Sequence, residues 1–356
     1  MSKALLFSDL HIHSHKDTVE RLQDCLTALR WVFDTAYERK IQHVWFLGDL
    51  FHERAKIDVR NYLLTFEVFM EYMLLRKPEF DVVLLIGNHD MYHKEKWDIN
   101  SVKPLTAIPK IRIIDSPVHE VIDGLAVDFC PHAENPMKEL GKLRDKPGRL
   151  LLGHMAVHGA KLNKLYGTKS DVIVEYDNDM VPVSVDQFKP WERVILGHYH
   201  GAQHVDERVE YLGSPLQLNF GESFEEKHIA ILDLDTLETE YIKNDFSPKH
   251  LILSPDDVAA YDLNKNFVRI VVDDMGKKDL TDLKRKLSAD FQLGSLDFKQ
   301  KDKKVEEDRT IVEGAKAMLL NEEETIENYM KHKGVPAGMD AARLKAMGLR
   351  LCVTKK

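Results

Sequence analysis

The chain of 356 residues carries a formal net charge of -9, with 44% hydrophobic and 31% charged residues. This is a globular composition, too long for one ordinary core, so a large domain with one or two smaller ones is expected. The acidity excludes a protein that coats nucleic acid through bulk charge, while leaving room for a local basic surface. No apolar stretch approaches the ~18 residues of a membrane span. The opening MSKALLFSDL lacks a signal-peptide layout. Cys25, Cys130 and Cys352 are scattered without a CxxC pair, which argues for reduced structural thiols in the cytoplasm rather than a disulfide framework or zinc knuckle.

In chain order, KALLFSDLHIH reads as a strand that breaks at Asp9. A helix follows, with apolar Val19, Leu22, Leu26, Leu29, Phe33 and Ala36 stepping by three and four. HVWFLGDLF is a second buried strand ending at Gly48-Asp49. A second amphipathic segment, with Val59, Tyr62, Leu63, Phe66, Phe69, Met70 and Met73 as its apolar stripe, leads to the third strand, DVVLLIGNHD. Strand, helix, strand, helix, strand predicts βαβ units. RLLLGHM and RVILGHYH are again apolar runs ending in Gly-His, and shorter strands are expected around VEYLGSP and HIAILDLD.

After about residue 247 the character changes. SPKHLILSPDD is loop punctuation with Pro, FVRIVVDD a strand, LTDLKRKLSADF a short helix and SLDFKQK a further strand, together a small α+β module. Residues 276–304 hold nine Lys/Arg against five Asp/Glu. A charge run is usually a solvated face, but Lys284, Arg285 and Lys286 are candidates for contact with a DNA backbone. KQKDKKVEEDR reads as a linker. Beyond it, Ile311, Val312, Ala315, Met318, Leu319, Ile326, Tyr329 and Met330 predict helices with a narrow apolar face and too little mass for a core of their own.

The chemistry lies at five strand ends: Asp9-Leu-His11, Gly48-Asp49, Gly87-Asn88-His89-Asp90, Gly153-His154 and Gly197-His198-Tyr-His200. Ligands in α/β sheets sit beyond the carboxyl ends of strands. Asp9 and His11 are two apart, so in extended backbone they would share a face, and the same parity is expected of His198 and His200. All donors are oxygen or imidazole nitrogen, which suits Mn²⁺, Fe²⁺ or Zn²⁺. Seven ligands exceed one tetrahedral ion but fit two ions about 3.5–4 Å apart. Asp49, with two carboxylate oxygens and alone at its strand end, is the natural bridge.

The ordered series DLH, GDLFH, GNHD, GH and GHYH resembles the calcineurin-like metallophosphoesterase superfamily, and within it the SbcD-type nucleases that work with SMC-like ATPases. The resemblance covers most of residues 1–245. It implies a four-layer α/β/β/α sandwich with mixed sheets over 1–247, a DNA-capping α+β module over 248–305 and a helical ATPase-binding tail over 306–356. It also implies one ion held by Asp9, His11, Asp49 and His200, and a second held by Asp49, Asn88, His154 and His198. Mn²⁺ is the expected metal, with Mg²⁺, Fe²⁺ or Zn²⁺ as alternatives. His89 would be the proton donor or charge stabiliser at the scissile phosphate, His52 the second histidine near it, and Asp90 a structural support.

The implied activity is a DNA exonuclease, with endonucleolytic cutting as a second mode, serving DNA recombination, repair or replication. The implied partners are duplex DNA, an SMC-like ATPase and a second copy, in a heterotetramer associated with the nucleoid. The helix at 58–76 is the candidate for pairing the copies, its apolar face being equally suited to the core. His158, four residues after His154, is a weaker ligand candidate, and His13, His15, His93, His132 and His204 are expected on solvated loops. Two other classes compete: a phosphatase or small-molecule phosphodiesterase on the same core, and a non-catalytic assembly subunit. GDLFHER departs from the GD-x-V-D-R-G pattern of protein phosphatases by placing His52 at the second Asp, and no ligand of the series is missing, as a scaffold would allow.

Overall fold

The computed structural model describes residues 2–13, 19–161, 182–273 and 275–300. Strand β1 (Lys3–Phe7) leads through helix α1 (Val19–Glu38) to β2 (His43–Phe46), and α2 (Val59–Met70) leads to β3 (Asp81–Leu85). A hairpin, β4 (Met91–His93) and β5 (Lys96–Asn100), precedes β6 (Ile111–Ile114), β7 (Val118–Ile122) and β8 (Leu125–Cys130). Helix α3 (Pro136–Leu143) then comes before β9 (Leu150–His154), β10 (Arg193–Gly197), β11 (Gln203–His204), β12 (Val209–Tyr211), β13 (Lys227–Asp233) and β14 (Thr239–Asn244). The last described elements are β15 (His250–Leu253), β16 (Phe267–Val272), α4 (Lys277–Asp290) and β17 (Ser295–Gln300).

Two six-stranded sheets form the body, ordered β14-β13-β1-β2-β3-β6 and β11-β12-β10-β9-β8-β7. In each, four strands run parallel and antiparallel strands close the margin, so both sheets are mixed. The period of two decides the layers. In the first sheet Ala4, Leu6, Trp45, Val83 and Leu85 meet Val127, Phe129, Leu150, Leu152 and Ile195 of the second. Their neighbours Leu5, Phe7, Val44, Phe46, Val82 and Leu84 face Leu22, Leu26, Leu29 and Phe33 of α1 and Phe69 of α2. On the far side, Leu151, Val194 and Leu196 pack on Leu140 and Leu143 of α3. Helix, sheet, sheet, helix is the four-layer architecture that the motif series implied. Both faces of the central strands are dry, which is why they read as continuous apolar runs rather than alternating ones.

The stripe expected on α2 is rotated. Asn61, Thr65, Val68 and Phe69 are its buried residues, followed by Tyr72 and Met73 in the next turn. Val59 is 81% and Leu63 52% exposed. Small polar residues can occupy the inward face because Thr65 Oγ1 donates to the Asn61 carbonyl at 2.7 Å, satisfying its hydroxyl locally. The Asp58 carboxylate caps the helix by accepting from the amides of Arg60 and Asn61.

Strands β15, β16 and β17 with α4 have a small core of their own, built on Leu251, Leu253, Val268, Ile270 and Leu287. The opposite face of this sheet meets the body. His250 is 5.0 Å from the Phe220 ring edge-on, and the Arg269 guanidinium stands 4.1 Å over that ring. Helix α4 therefore covers the outer face, with Lys284, Arg285 and Lys286 exposed and Arg285 paired to Asp282 at 3.3 Å. Cys25 and Cys130 are buried free thiols. Cys352 and the tail expected over 306–356 lie outside the described residues. No described helix is long and apolar enough to cross a membrane.

Candidate metal centre

The ends of β1, β2, β3, β9 and β10, with the loops that follow them, meet at one edge of the paired sheets and bring nine named side chains together. Asp9, His11 and His200 form one group whose ligand atoms lie within 4.8 Å of one another, and Asp49, His154 and His198 form a second. Asp49 Oδ2 stands between them, 3.5 Å from His11 Nε2 and 3.3 Å from His154 Nε2. Asn88 Oδ1 lies 3.0 Å from His154 Nε2 and 3.2 Å from His198 Nδ1. His89 and His52 stand beside His11, with ring centroids 4.7 and 5.4 Å from it.

The convergence of Asp9 with His11 has a different cause from the one expected. Both are left-handed, at φ 53° and 46°, as are Asp49 at 64° and His198 at 109°. Extended parity therefore does not apply, and His198 and His200 fall into different groups. Paired amides hold these strained turns: Asp9 N–H donates to Gly48 O at 2.9 Å, His11 N–H to Asp49 O at 3.0 Å and Ile12 N–H to Leu50 O at 2.8 Å. Non-glycine residues in this region cost of order 1–3 kcal/mol each and persist where the surroundings over-determine them. Gly87 is required by space. A Cβ there would come within 2.2 Å of Asp49 Oδ1 and 2.5 Å of the Asp49 backbone nitrogen.

Asp90 is fully buried and accepts from the amides of Asp49 at 2.8 Å, Leu50 at 3.0 Å and Gly87 at 3.0 Å. It ties the second and third strand ends together. Burial, with the charge of Asp49, pushes its carboxyl up to about 6. The His89 amide donates to Asp49 Oδ1 at 2.8 Å, and its ring Nδ1 donates to the His52 carbonyl. That leaves His89 Nε2 as the ring atom free of this bond.

The donor set suits cations. A carbonyl can only accept, so His154 Nδ1, 2.7 Å from Leu47 O, carries a proton, and its Nε2 points an electron pair at the oxygens of Asp49 and Asn88 when the ring is neutral. His200 Nδ1 donates to the Glu222 carboxylate at 3.0 Å, and its Nε2 faces His11 Nε2 at 3.1 Å. Electron pairs aimed at one another need a proton or a metal ion between them. Burial lowers the proton affinity of the His154 imidazole, but the charge of Asp49 outweighs burial and raises the group to about 9. Burial likewise raises Asp49, and the neighbouring His154 outweighs it and holds the carboxyl well below its usual range. His11 and His198 are held well below theirs, first by burial and then by neighbouring histidines.

Three residues that periodicity did not single out belong to this surrounding. Glu222 is fully buried, orients His200, and is paired with Lys227 at 2.8 Å. Burial opposes the charge of Glu222, but Lys227 and His200 bring it down to about 2. His132 corrects the loop expectation. It is 7% exposed, its ring centroid lies 6.2 Å from that of His154, and burial lowers it to about 3. Its backbone is clamped between Ile86 O and the Trp97 indole, so the loop after β8 is drawn inward. His13 is half-buried with its ring 4.8 Å from His52. His93 and His204 are exposed, and His15 lies outside the described residues. His158 is exposed on a non-helical turn, so the four-residue spacing from His154 places no shared face, and it joins none of the ligand groups among the described residues.

A family model described as calcineurin-like phosphoesterase matches residues 2–202. Exonuclease subunit 1 of Enterobacteria phage T4 is 25% identical over 235 residues, 65% of this chain and 65% of that protein. The SbcD component of the nuclease SbcCD from Escherichia coli strain K12 is 24% identical over 275 residues, 67% of this chain and 66% of that protein. The chain thus spans just under two thirds of the length of these curated relatives. A solved dimetal phosphatase from Danio rerio is 12% identical with a TM-score of 0.41, covering 68% of this chain and 98% of that one.

Proposed function

This chain belongs to the calcineurin-like phosphoesterase family and is a hydrolase, and we propose that it is the nuclease subunit of a DNA-processing complex, cutting phosphodiester bonds exonucleolytically and, as a second mode, endonucleolytically. The observation that carries the reading is the pair of ligand groups joined through Asp49, with His89 beside them. Asp9, His11, Asp49 and His200 would hold one divalent ion and Asp49, Asn88, His154 and His198 the other, Mn²⁺ being the expected metal. When bound, two such ions polarise the phosphodiester and supply the nucleophile near neutral pH.

The chain's own residues do the rest. Asp90 fixes the Asp49 and Gly87 turns, and Glu222 fixes the tautomer of His200. His89, oriented by its Nδ1–H bond to the His52 carbonyl, offers Nε2 to the leaving oxygen as proton donor or charge stabiliser. His52 assists at the same phosphate.

The names of the two nuclease relatives, each that of one subunit, support a partner, read here as an SMC-like ATPase engaged by the tail beyond Lys304. The exposed Val59 and Leu63 on α2 support pairing with a second copy, giving a heterotetramer. Duplex DNA is the substrate, with Lys284, Arg285 and Lys286 as salt-dependent phosphate contacts. Recombination, repair or replication on the cytoplasmic nucleoid is the setting.

The test is cleavage of linear duplex DNA and of a small phosphodiester with Mn²⁺, with Mg²⁺ and with chelator. DNA cleavage restored by Mn²⁺ is expected. Cleavage of the small diester alone would favour a small-molecule phosphodiesterase. Truncation after Lys304 should leave a folded protein that cuts small diesters but no longer copurifies with the ATPase.

A further inference from the structure

A cleft of about 640 Å³ opens beside the metal centre, between the body and the three-stranded module, and His52 and His200 stand in its wall. Behind His200 lies a second layer of charge. Glu222 is fully buried and Lys227 is 5% exposed, and neither lines the cleft. Groups placed there touch no substrate, so whatever they do for the reaction they do through His200.

Lys227 holds His200 twice. Its Nζ donates to the His200 carbonyl at 2.8 Å, which fixes the backbone, and to Glu222 Oε2 at 2.8 Å. Glu222 Oε1 in turn accepts from His200 Nδ1 at 3.0 Å, which fixes the ring. Glu225 Oε2 lies 2.9 Å from the same ammonium. An ammonium has three donors, and here they meet two carboxylates and one carbonyl, with Ser214 Oγ at 3.1 Å closing the shell. Packing alone does not account for the arrangement, since a buried ion pair is a weak source of stability that apolar residues of like volume often match.

The second ligand group is supported differently. His154 Nδ1 donates to a neutral carbonyl, that of Leu47, at 2.7 Å. A carboxylate behind an imidazole fixes its tautomer and raises its basicity as a ligand, and loss of such a partner lowers metal affinity about 10–100-fold. We propose that Lys227 is a positioning residue for one ion only: acting on the His200 backbone and, through Glu222, on its ring, it sets the affinity of the ion at Asp9, His11 and His200. The ion at Asn88, His154 and His198 is independent of it. The inference rests on the two-ion reading above and gives the two sites unequal supports.

The full chain, stripped with chelator, is titrated with Mn²⁺ and followed by calorimetry and electron paramagnetic resonance. The unsubstituted chain should bind two ions and give the spectrum of a coupled pair. Lys227→Met should bind one ion as before and the other about 10–100-fold more weakly, so that at limiting Mn²⁺ an isolated-ion spectrum replaces the coupled one. In Asn88→Ala, which weakens the second group, adding Lys227→Met should lower the affinity of the ion that remains. If Lys227→Met does not fold because Glu222 is left buried without its partner, Lys227→Met with Glu222→Gln removes both charges and should show the same one-ion loss. Two ions bound with unchanged affinity in either folded variant, equal weakening of both ions, or an unaffected ion in the Asn88→Ala background would overturn the proposal. A single ion in the unsubstituted chain would sink the two-ion reading together with it. The one-ion loss in a protein that cleaves no DNA would uphold the proposal and sink the nuclease reading alone.

Discussion

The strand-end cluster and the module of β15–β17 with α4 stand on either side of one cleft, and they are built to opposite rules. The cluster rests on two sheets whose central strands are dry on both faces, and its turns are locked by buried amides and by Asp90. The module has one thin core, and α4 buries only Leu287. Strained, left-handed ligand turns survive where a large core over-determines them. A wall of the cleft needs no such support, so a small sheet held by Phe220 and His250 is sufficient.

The sharpest way to break this contrast is inside the cluster. His89→Ala should lower cleavage by about 10²–10⁴-fold, while both metals and DNA binding remain. Asp49→Asn should lose metal along with activity, because Asp49 stands between both groups. Metal analysis beside single-turnover rates separates the two. Metal loss in His89→Ala with retention in Asp49→Asn would reverse the assignments.

Backbone space gives the next effect. Gly87→Ala should destabilise by ~3 kcal/mol or more, since the new Cβ collides with Asp49 rather than with a flexible chain end. Gly141 in α3 is the control. A Cβ there meets nothing, so Gly141→Ala should stabilise by roughly 0.5–1 kcal/mol. Urea unfolding of both variants checks the signs.

Across the cleft the expected effects are smaller. Replacing Lys284, Arg285 and Lys286 with Ala should weaken duplex binding and flatten its salt dependence, leaving small-diester hydrolysis unaltered. An unchanged salt slope returns the triplet to a solvated face, which its place on the outer side of the module sheet would accommodate.

The smallest effect lies away from both regions. His43 is held between Asp81 at 2.6 Å and Asp123 at 3.0 Å. Burial lowers its affinity for a proton, but the two carboxylates outweigh burial and raise it above the ordinary value. A raised folded value stabilises fully below the unfolded pKa of about 6.5 and fades as pH rises through the folded one. His43→Gln should therefore cost more stability at pH 6 than at pH 9. A pH-independent loss would mean that packing alone is at stake.

Much of this molecule could be read before it was folded. Apolar runs that end abruptly in Asp, Asn or His gave the five strand ends, because a strand dry on both faces leaves no other place for polar chemistry. The face of α2 was misread because small polar Asn61 and Thr65 go inward while Val59 and Leu63 stay outside, a choice made by neighbours and not by periodicity. Glu222 and His132 carried no local signal, since each acts on a residue 22 positions away in the chain.

What the sequence by itself determined was the alternation of dry strands and amphipathic helices, and the donor types placed at the strand ends. Backbone period and side-chain chemistry are local properties, so they survive reading in one dimension. The division of donors into two groups, the left-handed turns that aim them, the inward draw of His132 and the bonds that tie Lys227 and Glu222 to His200 were decided by tertiary structure. Each depends on which distant loops are pressed together when two sheets bury their shared face, and no local pattern encodes that contact.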